Sequence, residues 1–209
     1  MKTNIKNYNL DELQEIVQEL GEKKYRAEQI FNWLYKENVQ SFDEMTNLPN
    51  SFREKLKEKV DLHIFKIIVK QTSKDGTKKY LFDVLDGNAI ESVLMEYKYG
   101  KTICVSSQIG CKMGCKFCAS TGIKFVRSLE TGEIIEQLQA IERDENIKIS
   151  NLVFMGIGEP LDNFDNVMKA IKILNNPKGI NMGARHISIS TSGLVPNIYR
   201  LADEKLQCT

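Results

Sequence analysis

Over the first sixty residues the apolar positions recur at helical spacing. Leu10, Leu13, Ile16, Val17 and Leu20 fall three and four apart and predict a helix over residues 10–21, which Gly21 can end. Ile30, Phe31, Leu34 and Tyr35 form a second stripe over 26–37, with Trp33 beside it. The loop Thr46-Asn47-Leu48-Pro49-Asn50 then caps a third helix over 51–60. Stripes of this width bury against one another, so residues 1–62 read as a small helical subdomain whose apolar residues are core. The period shortens next. Residues 64–71, 79–85 and 89–97 are rich in Ile, Val, Phe, Tyr and Leu. They are separated by the turn sequences Lys74-Asp75-Gly76 and Asp86-Gly87-Asn88. They predict a β-meander over 63–98 that bridges the helical subdomain to the C-terminal half of the chain.

From Thr102 the pattern becomes alternating strand and helix. Strands are expected at 103–106, 152–155 and 186–191, each followed by a helix, at 131–143, 164–174 and 195–201. A fourth strand begins at Leu206 and the sequence stops at Thr209. Repeated βα units imply a parallel sheet with its sites at the carboxyl ends of the strands. The fold class is therefore α/β: a helical subdomain and meander, then a core over 99–209 that amounts to the first half of a barrel. A parallel strand needs neighbours on both sides, so an ending inside a strand predicts a fragment of a longer chain.

Composition narrows the classes. Of 209 residues 42% are hydrophobic and 27% charged, ordinary for a soluble globular protein. No apolar run approaches the ~20 residues of a membrane span, and the N-terminus has no signal-peptide core. The chain is expected in the cytoplasm, with no membrane contact. Five cysteines, three of them within eight residues, do not suit a secreted disulfide framework and point to a metal or redox role in a reducing compartment. Net charge is only +1. The basic bias is local, running from Arg53 through Lys55, Lys57, Lys59, Lys66, Lys70 and Lys74 to Lys78 and Lys79. That stretch either tracks phosphates or is a solvated surface.

The chemistry concentrates in three loops at strand ends. Cys111-Lys112-Met113-Gly114-Cys115-Lys116-Phe117-Cys118 spaces three thiols as Cys-x3-Cys-x2-Cys. They could be buried structural cysteines or a zinc knuckle, but zinc would need Cys104, Cys208, His63 or His186 as fourth ligand, and none sits at finger spacing. A 4Fe–4S cluster suits three thiolates better and leaves one iron open. Gly114 relieves backbone crowding in such a loop, and Phe117 can shield a cluster. Gly158-Glu159-Pro160 is either a tight turn or a place where backbone and carboxylate meet an ammonium group. Ser190 and Ser192 are turn residues or hydroxyl partners for a carboxylate or ribose. Cys104, on the strand leading into the cysteine loop, reads first as a small core residue. Glu91, in an apolar strand, is a solvent-facing acid or a half-buried general base. Cys208 has no supporting pattern.

These residues resemble a known family. Cys-x3-Cys-x2-Cys after a strand, with Gly-Glu-Pro downstream, is similar to the radical S-adenosylmethionine superfamily. More narrowly, the segments 25–35, 45–49, 90–95, 104–111 and 154–163 resemble its RlmN/Cfr family of RNA methyltransferases, and Pro160 favours the RlmN branch. The resemblance implies a partial (βα)6 barrel and methylation of adenine C2 in 23S rRNA and tRNA. It implies that Cys111, Cys115 and Cys118 hold a 4Fe–4S cluster whose open iron binds S-adenosylmethionine. By the same matching, Gly158, Glu159 and Ser190 would contact that cofactor and Glu91 would accept a proton. Cys104 would release the protein–RNA adduct by forming a disulfide. A reductant such as flavodoxin or ferredoxin is implied, and a monomer is expected. The family's methyl-carrying cysteine lies beyond residue 209, so the chain is expected to be incompetent alone. The alternatives are a Cfr-like C8 methyltransferase and a non-catalytic RNA-binding remnant.

Overall fold

Asn9 opens the first helix, α1 (Leu10–Glu19), with a reciprocal cap. Its side chain accepts from the Glu12 N–H at 3.0 Å, and the Glu12 carboxylate accepts from the Asn9 N–H at 2.8 Å. Leu13, Ile16 and Val17 are buried. Gly21 then turns the chain out at φ +80°, where glycine has no steric penalty. The second helix, α2 (Tyr25–Tyr35), buries Ala27, Ile30, Phe31, Leu34 and Tyr35. The third, α3 (Asn50–Lys59), follows Pro49 and buries Phe52 and Leu56. Trp33 stays at the edge of its stripe, where its indole N–H donates to Asn47 at 2.6 Å. This computed structural model describes residues 2–209.

The meander strands are β1 (Lys66–Thr72), β2 (Lys78–Asp83) and β3 (Ala89–Tyr97). Next come β4 (Gly100–Cys104) and a short separate pair, β5 (Gln108–Ile109) with β6 (Arg127–Ser128). The remaining elements are α4 (Thr131–Glu145), β7 (Asn151–Phe154), α5 (Phe164–Asn175), β8 (Ile187–Ile189) and α6 (Val195–Asp203). One six-stranded sheet runs β1-β2-β3-β4-β7-β8. Its β4–β7 and β7–β8 pairings are parallel, as the βα pattern predicts. The first three pairings are antiparallel, so the meander extends the barrel sheet rather than standing apart from it. The strand expected from Leu206 is barely begun: Thr209 alone exchanges backbone hydrogen bonds with Ile187 and Ile189, at 3.0 and 2.8 Å. The short β5–β6 pair lies in the cysteine loop, where no apolar alternation announces it.

Helix α4 is buried continuously from Thr131 to Glu142, because it faces the sheet on one side and the helical subdomain on the other. Tyr80 of β2 donates its hydroxyl to Asp144 and Glu145. On the other side, Gln139 donates to the Leu34 carbonyl at 2.6 Å. Between the layers sits an ion pair of Lys6 with Glu136, both fully buried. Such burial is tolerable only when the charge is well compensated, and Glu136 also accepts from Arg143 and from the Phe65 N–H. Burial lowers the Lys6 pKa, with the Glu136 carboxylate opposing that shift. Among the described residues no helix is long and apolar enough to cross a membrane.

Candidate active site

The three cysteines leave the end of β4 together. Cys111, Cys115 and Cys118 line one cavity of about 290 Å³, with Met155, Gly158, Glu159 and Ser190 from the loops after β7 and β8 on its other walls. Tight turns shape the loop. The Cys118 N–H donates to the Cys115 carbonyl at 3.1 Å, and the Thr121 hydroxyl donates to the same carbonyl at 2.6 Å. The Met113 N–H points at the Cys111 sulfur, 3.4 Å away. All five cysteines are free thiols. The loop thiols share a wall without meeting at a point. Among the described residues no group of three His, Cys, Asp or Glu side chains is gathered to metal-ligand distance. None of the candidates for a fourth zinc ligand lines this cavity. Phe117 is 94% exposed and projects into solvent. Gly114 has open space around it, so the loop does not need glycine there for room.

The Gly-Glu-Pro turn on the cavity wall is fixed by contacts within the chain. Gly158 sits at φ +105°, and a Cβ there would come within 2.7 Å of the Gln108 backbone nitrogen. Its close approach is thus to another loop of the same chain. Glu159 is only 3% exposed. Its carboxylate accepts from the Leu161 N–H at 2.9 Å, the Thr191 hydroxyl at 2.7 Å and the Ser192 N–H at 2.7 Å. It clamps the β8 loop to the β7 loop. Ser190 by contrast is exposed at the cavity rim.

Glu91 of β3 and Cys104 of the neighbouring β4 line one adjoining cavity of about 250 Å³. Cys118, Ser120, Met155 and Gly156 border both spaces, so the two predicted groups of residues meet. Val93 pairs across the sheet with Cys104, and Glu91 lies two residues further along β3 on the same face. The Glu91 carboxylate faces Lys79 of β2 at 3.0 Å, with both side chains nearly half exposed. Cys104 is partly buried, and that burial pushes its thiol pKa up despite a backbone hydrogen bond from Met155.

Three buried polar side chains that the sequence did not single out hold this site together. Gln137 of α4 accepts from the Ser92 hydroxyl and the Ser106 N–H, both at 2.8 Å, and donates to the Ser106 carbonyl at 2.9 Å. Asn163 donates to the Ser107 and Leu129 carbonyls at 2.9 and 2.7 Å. Gln108 accepts from the Glu159 N–H at 3.0 Å and donates to Asp162 at 2.8 Å. A polar residue in the middle of a helix stripe was the only available signal for Gln137.

Part of the basic stretch is paired with acids. Lys57 pairs with Asp43 and Glu54, Lys59 with Glu19, Lys70 with Asp144 and Glu145, and Lys78 with Glu145. A larger cleft of about 620 Å³ lies between α2 and the loop after α5. It holds none of the predicted site residues and is a seam between the subdomain and the core.

A cysteine loop after the first parallel strand, facing a Gly-Glu-Pro turn and a serine-bearing strand end, defines a radical S-adenosylmethionine core. Residues 105–207 match the model of the radical SAM superfamily, and residues 3–62 match the ribosomal RNA large subunit methyltransferase N-terminal domain. The chain is similar in both parts to the RlmN methyltransferases within that superfamily. It is 50% identical over 209 residues to a probable dual-specificity RNA methyltransferase RlmN of Bacillus cytotoxicus, which covers 99% of this chain and 58% of the relative. To the protein of the same description from Clostridium novyi it is 52% identical over 207 residues, covering 99% and 60%. A solved radical SAM methyltransferase from Sphaerobacter thermophilus superposes with a TM-score of 0.92 at 40% identity, covering 99% of this chain and 62% of that one. The chain thus spans somewhat under two thirds of the length of these relatives. The family implies a 4Fe–4S cluster and S-adenosylmethionine. The site fits them: three free thiols face one cavity whose remaining walls offer backbone and hydroxyl groups.

Proposed function

We propose that the chain acts in methylation of adenine C2 in 23S rRNA and tRNA. The observation that carries this reading is the adjoining pair of cavities, one bordered by the three loop thiols and the other by Glu91 and Cys104. Cys111, Cys115 and Cys118 would hold the cluster, which would supply the reductive chemistry that activates S-adenosylmethionine. This chain would supply the cofactor cradle, the base and the releasing thiol, while the methyl-carrying cysteine that the family resemblance implies lies beyond residue 209. Ser190 offers a hydroxyl to the polar end of the cofactor, and the turn at Gly158 presents backbone to it. Glu159 contributes indirectly, since its carboxylate is engaged in fixing the two loops that form the cradle. Glu91 accepts the proton that adenine C2 must lose, with Lys79 orienting the carboxylate. Cys104, kept as a thiol by its partly buried position, would release the product by attacking the sulfur of the family's carrier cysteine beyond residue 209: an S–S bond forms as the S–C bond to the methylated base breaks and its electron pair returns to the base. Met155 and Gly156 border both cavities and so bring the reacting groups side by side. The reading includes a flavodoxin- or ferredoxin-type reductant, a monomer and a cytoplasmic setting.

The test is anaerobic reconstitution with iron and sulfide, reduction, and assay of 5′-deoxyadenosine released from S-adenosylmethionine. The wild-type chain is expected to release it and Cys118→Ala to release none. Release that survives Cys118→Ala, or none from a cluster-loaded wild type, contradicts the reading.

A further inference from the structure

The cysteine loop is fastened to the opposite wall of its own cavity. Lys112, between the first two thiols, reaches Asp162 in the turn after β7 at 2.8 Å. Its ammonium also lies 4.3 Å from the centre of the Phe125 ring, so both ends of the loop bear on one side chain. Asp162 is not a freely rotating surface acid. Its side chain is 22% exposed, and it accepts from Gln108 as well as Lys112. Burial alone would raise its pKa, but those two partners outweigh burial and hold the carboxylate below its usual range. Gln108 passes the connection on to the Glu159 N–H, and the Glu159 carboxylate passes it to Thr191 and Ser192. A single polar chain therefore joins the loops that follow β4, β7 and β8.

We infer that Lys112 is a positioning residue: through Asp162 and Gln108 it sets the cysteine loop against the Gly-Glu-Pro turn, so that thiols and cofactor cradle move as one unit. The inference rests on the proposed function for what the thiols hold, but the strap itself does not. An exposed ion pair alone contributes little. This one differs because its acid is ordered by a second hydrogen bond and its base by an aromatic face.

Lys112→Met removes the ammonium that meets both Asp162 and the Phe125 ring, whereas Lys112→Arg keeps a cation for both. Deuterium uptake by the chain without cluster is compared over residues 111–126 and 156–163. The expected result is faster uptake in both segments for Lys112→Met and near wild-type uptake for Lys112→Arg. In the loaded chain, iron release to a chelator is expected to be about threefold faster in Lys112→Met, the scale of one partly exposed charged contact. Unchanged uptake in both segments overturns the strap, as does equal iron release from wild type and Lys112→Met. A wild type that takes up no cluster overturns the cofactor reading instead, and the uptake comparison still decides the strap.

Discussion

Replacing Gln137 by leucine removes one carboxamide from the middle of the molecule and leaves its volume nearly unchanged. Gln137 is fully buried, and its partners Ser92 and Ser106 are 2% and 0% exposed. The substitution strands the Ser106 N–H, the Ser106 carbonyl and the Ser92 hydroxyl, which no water can reach. The hydroxyl can rotate away. The two backbone groups cannot, and each stranded group costs about 1–3 kcal/mol. A loss of about 2–5 kcal/mol is expected, a large share of the ~5–15 kcal/mol that holds a typical domain. Urea unfolding followed by circular dichroism reads it as a lower midpoint at unchanged slope. Gln137→Glu sharpens the test. Its carboxylate keeps the acceptor for Ser92 and the Ser106 N–H but loses the donor to the Ser106 carbonyl. Burial favours the protonated acid, which restores that donor. Gln137→Glu should therefore approach wild-type stability as pH falls and move away from it as pH rises. Gln137→Leu within about 0.5 kcal/mol of wild type, the scatter of an unimportant surface change, would refute this reasoning.

Other positions give independent tests. Gly158→Ala forces a side chain into the left-handed region at φ +105° and against the Gln108 backbone; calorimetry should show a loss of at least about 1–3 kcal/mol, and a neutral result contradicts the loop contact. Glu136→Ala leaves Lys6 buried beside Arg143 without its carboxylate, and denaturant unfolding should show about 3–5 kcal/mol lost. The raised pKa of Cys104 means less thiolate at any given pH than an ordinary cysteine has. Iodoacetamide labelling of Cys104, resolved by mass spectrometry, should be slow at neutral pH and should rise only above the usual thiol range. Fast labelling at pH 7 would contradict its placement.

The βα core was legible because its strands and helices differ in period, and the helical subdomain because its stripes are clean. The three loop thiols stand out by their spacing alone, whereas Glu91 and Cys104 read first as a solvent-facing acid and a core residue and take on roles only through the family resemblance. The contacts those residues make could not be read. Glu159 reads from its motif as a ligand contact, yet its carboxylate is committed to Thr191 and Ser192. Gly158 lines the cavity, and the packing of its turn against Gln108, where a Cβ would collide, could not be read from the sequence. The lysines of 53–79 read either as a phosphate track or as a solvated surface; that Lys57 meets Asp43 and that Lys70 and Lys78 meet Asp144 and Glu145 of α4 emerges only on folding. The continuity of the meander with the barrel sheet depends on the β3–β4 pairing, which a succession of strands does not specify.

Whether the loop thiols hold a cluster is the central question, and iron and sulfide content after anaerobic reconstitution measures that most directly. Wild type should carry about four irons and four sulfides per chain with the brown absorbance of such a cluster. Cys111→Ala, Cys115→Ala and Cys118→Ala should each lose most of it, while Cys208→Ala should keep it. Full iron loading in a variant lacking any one of the three thiols would contradict the assignment.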